Sequence, residues 1–309
     1  MARAPVERLE LGLRRTDRSF FEVTLGGSVR EEAVDGRVRI GVIGLGAVGK
    51  AFAHTMAWFH DVVGYDIKGD YSWERILETE AAFVCVSTPE DPVGRLDCRN
   101  VDAVLDRLTD GKFRGPITIR STLRVGYMDD ASRRYPSLRL IYSPEFLRER
   151  SRFQWSVNPD RLVLAGDPLD LEDVRRLFAW IEDVPILIMS YKEAELGKLA
   201  HNAYIATKVS FTNEIEQMCK RLGADPVSVM SVVTSDRRVV SREHLRPGLG
   251  PYSGSCVPKD TRELITAGGD MPLLRAVEQV NKRVSEGKTE AGILPRTHGQ
   301  KEARAGSKS

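Results

Sequence analysis

The feature that most constrains this chain is the run Gly44-Leu45-Gly46-Ala47-Val48-Gly49 together with Asp66, 20 residues after Gly46. A GxGxxG run by itself is a weak signal. Here it follows a short apolar run, Val38 to Ile43, and opens a stretch of helical composition, Ala47 to Phe59. That context is the dinucleotide-binding fingerprint. The glycines allow a tight turn and close backbone approach. The amides of Ala47, Val48 and Gly49 at the helix N-terminus are placed for a pyrophosphate. Asp66 closes the next predicted strand and is expected to accept hydrogen bonds from an adenosine ribose. A carboxylate there repels a 2′-phosphate, so the expected cofactor is NAD rather than NADP.

The pattern around the fingerprint extends it into a domain. Val62 to Tyr65, Ala82 to Val86, Ile117 to Ile119, Leu138 to Tyr142 and Leu162 to Ala165 read as buried strands, with helical stretches such as Val101 to Leu108 between some of them. This alternation predicts an α/β, Rossmann-like doubly wound parallel sheet, finished by Leu171 to Ile181 and Val184 to Met189. Tyr191 to Leu222 then reads as one long helix ended by Gly223. Further helices are expected over Asp225 to Val233, Pro258 to Ala267 and Pro272 to Ser285. The organisation expected is an N-terminal extension over 1–36 with a hairpin-like piece, a nucleotide-binding domain over 37–190, an all-helical domain over 191–286 and a disordered tail over 287–309.

Composition narrows the class. A net charge of +2 over 309 residues gives no reason to propose nucleic acid as a partner. No window holds ~18 consecutive apolar residues, and the N-terminus has no signal-peptide pattern. Four widely spaced cysteines, Cys85, Cys98, Cys219 and Cys256, show no metal-type spacing. They fit free thiols in a reducing compartment, so the cytoplasm is expected, with no metal and no membrane.

Among those cysteines, Cys256 stands out. It lies in Gly254-Ser255-Cys256-Val257-Pro258-Lys259-Asp260, at the threshold of a predicted helix whose first turn holds Pro258. Helix amides and the positive end of the dipole favour a thiolate there. Asp260, four residues on, returns to the same face. A reactive thiol in a chain with a nicotinamide site suggests an oxidation that passes through a covalent thioester.

With these residues on the page, the chain resembles the UDP-glucose/GDP-mannose dehydrogenase family of nucleotide-sugar 6-dehydrogenases. The likeness runs in order through the glycine turn, Val86-Ser87-Thr88-Pro89, Ser121-Thr122-Leu123-Arg124-Val125-Gly126, Ser143-Pro144-Glu145-Phe146-Leu147-Arg148-Glu149, Lys198-Leu199-Ala200-His201-Asn202-Ala203 and the cysteine segment. It implies a four-electron oxidation of a primary alcohol to a carboxylate with two NAD and Cys256 as nucleophile. Lys198 and Asn202, one turn apart, would stabilise an oxyanion. Glu145 and Asp260 would assist proton transfer and water activation, and Thr122 would orient the water. Thr88, Pro89 and Ser121 would face the nicotinamide side. Phe146, Leu147 and Glu149, with Tyr252 and Gly254 of the loop before the cysteine, would line the sugar pocket. The family's pairing along long central helices implies a homodimer. An apolar stripe over Pro272 to Arg283 (Leu273, Leu274, Ala276, Val277, Val280) is a candidate for that seam or for a core face.

The chain departs from the family in two places. Ser253 stands where a glycine is usual, beside an apparently inserted Pro251. After Ser285 only 24 residues remain, against the ~100 a second Rossmann-like domain needs. That nucleotide-gripping domain is therefore expected to be absent. This keeps two other outcomes open: a non-catalytic or partner-dependent NAD-binding relative, and a two-electron hydroxy-acid-type dehydrogenase that does not use the thiol.

Overall fold

The computed structural model describes residues 36–147, 152–181, 184–236, 239, 244, 248–268 and 271–287. The hairpin expected within 1–36, the tail beyond 287 and Glu149 lie outside them. From Arg37 onward the chain packs as one unit.

Five parallel strands form the sheet: β1 (Arg39–Ile43), β2 (Asp61–Tyr65), β3 (Ala81–Val84), β4 (Pro116–Ile119) and β5 (Arg139–Tyr142), in the order β2-β1-β3-β4-β5. β3, β4 and nearly all of β5 are buried, as strands covered on both faces must be. The register sets Ile43 beside both Tyr65 and Val84, so β1, β2 and β3 end flush. The segments after these strands therefore meet at one sheet edge. The order reverses at β1/β3, the switch point at which open α/β sheets bind ligands.

The crossover helices are α1 (Ala47–Met56), α2 (Glu74–Leu77), α3 (Arg99–Asp110) and α4 (Tyr127–Arg134), followed by α5 (Arg152–Val157) and α6 (Pro168–Arg176). β6 (Leu162–Leu164) and β7 (Ile186–Ile188) depart from the single-sheet expectation. They pair only with each other, and one antiparallel bridge, Tyr142 to Ala165, ties them to β5.

α7 (Tyr191–Leu222) matches its predicted bounds because its ends are chemically marked. Ser190 and Glu193 form a reciprocal capping box, and Gly223 closes the helix at φ 70°. Asp225 caps α8 (Pro226–Ser235) through the amides of Val227 and Ser228. α9 (Val257–Gly268) and α10 (Pro272–Ser285) pack on α7. Ala194, Leu199 and Ala203 of α7, with Leu264, Ile265 and Leu274, belong to the same buried cluster as Val84, Ile117 and Tyr142 of the sheet. The helical segment and the sheet thus share a core. On α10, Leu274 and Val277 face the core, Val280 is half-buried, and Leu273 and Ala276 face out, so the stripe is divided between core and surface. No helix among the described residues is long and apolar enough to cross a membrane.

Candidate active site

The glycine turn lies at the C-terminal end of β1. Gly44 has φ +94°, and a Cβ there would come within 2.8 Å of the Cys85 and Val86 backbone. A Cβ on Gly49 would come within 1.8 Å of the Gly44 carbonyl. The fold itself demands these two glycines. Gly46 is different: it is exposed and nothing lies within 4 Å of where its Cβ would be. No side chain caps the α1 N-terminus it precedes, and no acidic residue occupies the first turn. The space a Cβ would fill is where a pyrophosphate approaches the free amides of Ala47 and Val48.

The Asp66 carboxylate accepts the Leu45 amide at 2.7 Å and the Lys68 amide at 2.9 Å. This pins it beside the turn as a fixed acceptor. Thr88 and Ser121 lie across the ends of β3 and β4. The Thr88 hydroxyl donates to the Thr122 carbonyl at 2.7 Å, and the Ser121 hydroxyl donates to the Val86 carbonyl at 2.6 Å. Pro89 beside them is exposed. The residues present therefore suit a dinucleotide.

The second half of the site is built from side chains 50 to 60 positions apart. From α7, the buried Lys198 donates to the Glu145 carbonyl at 2.5 Å, and its ammonium lies 3.7 Å from the Glu145 carboxylate. Glu145 also accepts the Leu147 amide at 2.6 Å. One turn along, the Asn202 carboxamide donates to Asp260 at 2.6 Å. Asp260 is fully buried and takes the Lys259 ammonium on its other oxygen at 2.6 Å. The Asp260 amide donates to the Cys256 carbonyl at 3.0 Å, the first bond of α9, so Cys256 sits at the N-cap. Cys256 is half-buried, with Ser255 Oγ 3.6 Å from its sulfur, while Cys85, Cys98 and Cys219 are buried. Burial pushes the Cys85 thiol up to about 12 and the Cys98 thiol to about 11. Those thiols stay protonated and inert.

Phe146 packs under the Arg161 guanidinium at 3.9 Å, with the Lys198 ammonium 5.0 Å from its ring centre. Thr122 is buried and Gly254 is exposed at φ +85°. Tyr252, read as a sugar-pocket residue, fastens its loop to the helices around it. Its ring is buried with Ala206, Val209 and Val277, and its hydroxyl bonds Glu278. Two further bonds fasten the same loop: Asn213 to the Gly250 carbonyl at 2.8 Å and Asn281 to the Tyr252 carbonyl at 3.1 Å. Ser253 keeps an ordinary φ, so a glycine is not required there.

Family models match in both halves: the UDP-glucose/GDP-mannose dehydrogenase family NAD binding domain over residues 69–182 and that family's central domain over 192–283. The chain is 30% identical over 300 residues to GDP-mannose 6-dehydrogenase of Pseudomonas syringae pv. tomato, covering 79% of this chain and 68% of that one. The chain belongs to the UDP-glucose/GDP-mannose dehydrogenase family. UDP-glucose 6-dehydrogenase of Streptococcus pneumoniae is 29% identical over 289 residues, covering 79% of this chain and 73% of its own. The UDP-glucose dehydrogenase structure from Pyrobaculum islandicum superposes with a TM-score of 0.72 at 29% identity, over 84% of this chain and 70% of that one. Against three other UDP-glucose 6-dehydrogenases the chain spans about half their length, 50% to 53%. The glycine turn precedes the first matched residue, so its reading rests on its geometry.

Within this family member, four side chains at the site escaped the sequence reading as functional candidates. Lys259 neutralises Asp260. His201 abuts Asn202, Nδ1 to Oδ1, at 3.0 Å. Arg120 is buried over the Phe52 ring at 4.3 Å, its Nε has no hydrogen-bond partner among the described residues, and it lines a cavity of about 40 Å³ together with Glu145. Glu195, fully buried, accepts the Gly126 and Met128 amides at 2.6 and 2.7 Å and so joins α7 to the start of α4. A signal was available for Glu195. Two turns of a helix carrying Glu195, Lys198 and Asn202 at spacings of three and four put three polar residues on one face.

Proposed function

We propose that this protein is an NAD-dependent dehydrogenase that oxidises the primary alcohol of a nucleotide sugar, or a related nucleoside-type substrate, to the carboxylate through a thioester on Cys256. The observation that supports this reading is that Lys198 and Asn202, one turn apart on α7, hold Glu145 and Asp260, and that Asp260 lies in the first turn of the helix capped by the half-buried Cys256. The glycine turn and Asp66 would hold NAD, with Thr88, Pro89 and Ser121 toward its nicotinamide side, and the cofactor would supply the hydride acceptor for both oxidations. The chain's own residues do the rest. Cys256 sulfur adds to the aldehyde carbon, and its proton leaves as the oxygen becomes a thiohemiacetal hydroxyl. Loss of hydride and of the hydroxyl proton leaves the thioester. Water, activated by Glu145 or Asp260 and oriented by Thr122, cleaves it to the carboxylate and returns the thiol. Lys198 and Asn202 supply a cation and an amide donor to the oxygen that gains charge at each addition. Phe146, Leu147, Glu149 and Gly254 fall on the segments assigned to the sugar.

We further propose a cytoplasmic homodimer, with the seam on the exposed side of α7. Leu196, Tyr204, Phe211, Met218 and Leu222 are all uncovered there. The 37–190 and 191–286 division serves as the working assignment of cofactor and catalytic halves.

The deciding experiment follows NADH formation with purified protein, NAD and a panel of UDP-, GDP- and TDP-sugars and nucleosides, for wild type and Cys256→Ala. Two NADH per substrate, lost in the variant, supports the thioester route. One NADH per substrate, retained in the variant, replaces it with a two-electron dehydrogenase. Measurable NAD binding without turnover replaces it with a non-catalytic or partner-dependent role.

A further inference from the structure

The Asn202 side chain faces two neighbours with different demands. Its Nδ2 is 2.6 Å from an Asp260 oxygen, and its Oδ1 is 3.0 Å from His201 Nδ1. Asp260 is fully buried with the Lys259 ammonium on its other oxygen, an environment that suits a carboxylate. A carboxylate only accepts, so the amide nitrogen must face it; the reverse flip would set two oxygens against each other at that distance. Asn202 Oδ1 is then committed to the imidazole, and an oxygen can meet a ring nitrogen at 3.0 Å only if that nitrogen carries a proton.

We infer that His201 is a positioning residue: carrying its proton on Nδ1, it locks the Asn202 carboxamide so that one amide hydrogen is spent on Asp260 and the other is presented to the reacting oxygen. The chain of bonds runs from His201 through Asn202 and Asp260 to Lys259. His201 is a neutral link in it. Burial, with Lys198 and Arg161 as neighbouring cations, lowers the imidazole to about 4 against the pull of Asn202 and Glu145. The Phe146 ring, edge-on at 5.2 Å, packs against the imidazole. The neutral imidazole in water prefers the Nε2–H form, so an Nδ1–H form at neutral pH reports the grip of Asn202. The orientation stands on this geometry. Its catalytic consequence rests on the function proposed above.

Long-range proton–nitrogen NMR of the full chain at neutral pH, with His201 assigned through the backbone, reads the tautomer directly and needs no turnover. A protonated Nδ1 with a bare Nε2 is expected. A bare Nδ1, or a doubly protonated ring at neutral pH, overturns the inference. Kinetics then separate positioning from packing. His201→Leu should lower kcat by about 3- to 10-fold, the worth of one neutral hydrogen bond, with KM for NAD unchanged. His201→Gln, whose amide can donate to Asn202, should return most of that loss. Equal losses in the two variants, or none in His201→Leu, overturn it. If wild type turns over no substrate, the functional reading fails while the tautomer still decides the orientation.

Discussion

Both faces of α7 mix the usual roles of a helix. Polar residues are buried beside the core residues Ala194, Leu199, Ala203, Ala206 and Val209, and apolar residues stand exposed among charged ones. The side turned into the protein carries Glu195, Lys198, Asn202, Ser210 and Asn213, while the side turned outward carries Tyr204, Phe211, Met218 and Leu222. Each inward polar residue holds a different segment: the α4 start, the Glu145 loop, Asp260, the Val277 carbonyl of α10 and the Gly250 carbonyl. Buried polar groups cost several kcal/mol apiece when unpaired, so a chain keeps such a row only where each member is partnered. The outward face holds apolar area that none of the described residues covers. The proposed function assigns chemistry to one face and contact to the other.

The sharpest break in this comparison is Lys198→Ala against Tyr204→Ser. The first removes the cation that the proposal places at the transition state and leaves Glu145 without its ammonium. Turnover should fall by ~10²- to 10³-fold, and stability by about 3 kcal/mol, read by NADH formation and thermal unfolding. The second should leave turnover per site within about two-fold, since exposed substitutions are close to neutral. A large loss of turnover in Tyr204→Ser would end the division of labour between the faces.

The glycine turn offers the same contrast at the scale of one methyl group. Gly46→Ala should weaken NAD binding by at least ~10-fold with the melting temperature unchanged, because its Cβ enters ligand space and touches no protein atom. Gly49→Ala should cost about 1–3 kcal/mol of stability before any ligand is added. Calorimetry with and without NAD distinguishes them. On the outward face, Phe211→Glu should halve the sedimenting mass at micromolar protein. An unchanged monomer mass in wild type would remove the seam.

The smallest expected effect is in pH. Burial, the largest influence, raises Glu195 from 4.5 to about 7 although two amides oppose it. The folded form then binds more protons than the unfolded chain between those values. This contribution to stability is therefore greatest below about 4.5 and lost as pH rises through about 7. His201, lowered from 6.5 to about 4, has the opposite slope: its contribution is present above 6.5 and lost as pH falls through about 4. The two partly cancel between about 4.5 and 6.5. Glu195→Gln should uncover the rising limb and His201→Leu the falling one, in melting temperatures measured across that window.

What the sequence made legible follows distance along the chain. The glycine turn, Asp66 and the ends of α7 are local, and each carries its own chemical mark, so they could be read directly. α2, α4 and α5 were missed because they are short and, in α4, mostly polar, with no apolar period to follow. β6 and β7 read as sheet strands because their apolar composition does not say which strand they pair with. The partners of the candidate catalytic residues were out of reach for a similar reason. Lys198 meets Glu145 across 53 residues and Asn202 meets Asp260 across 58. Tyr252 was placed at the sugar because its loop neighbours Cys256. Only the fold shows that Glu278, 26 residues on, claims its hydroxyl.

The unequal burial of the four thiols has a practical result for anyone handling this protein. Three are sequestered in the interior, and two of those are held far from ionisation at neutral pH. An alkylating reagent offered to the folded chain therefore meets one competent sulfur, at Cys256. The amount of label incorporated per chain counts accessible Cys256 thiols in each preparation, with no need of a substrate.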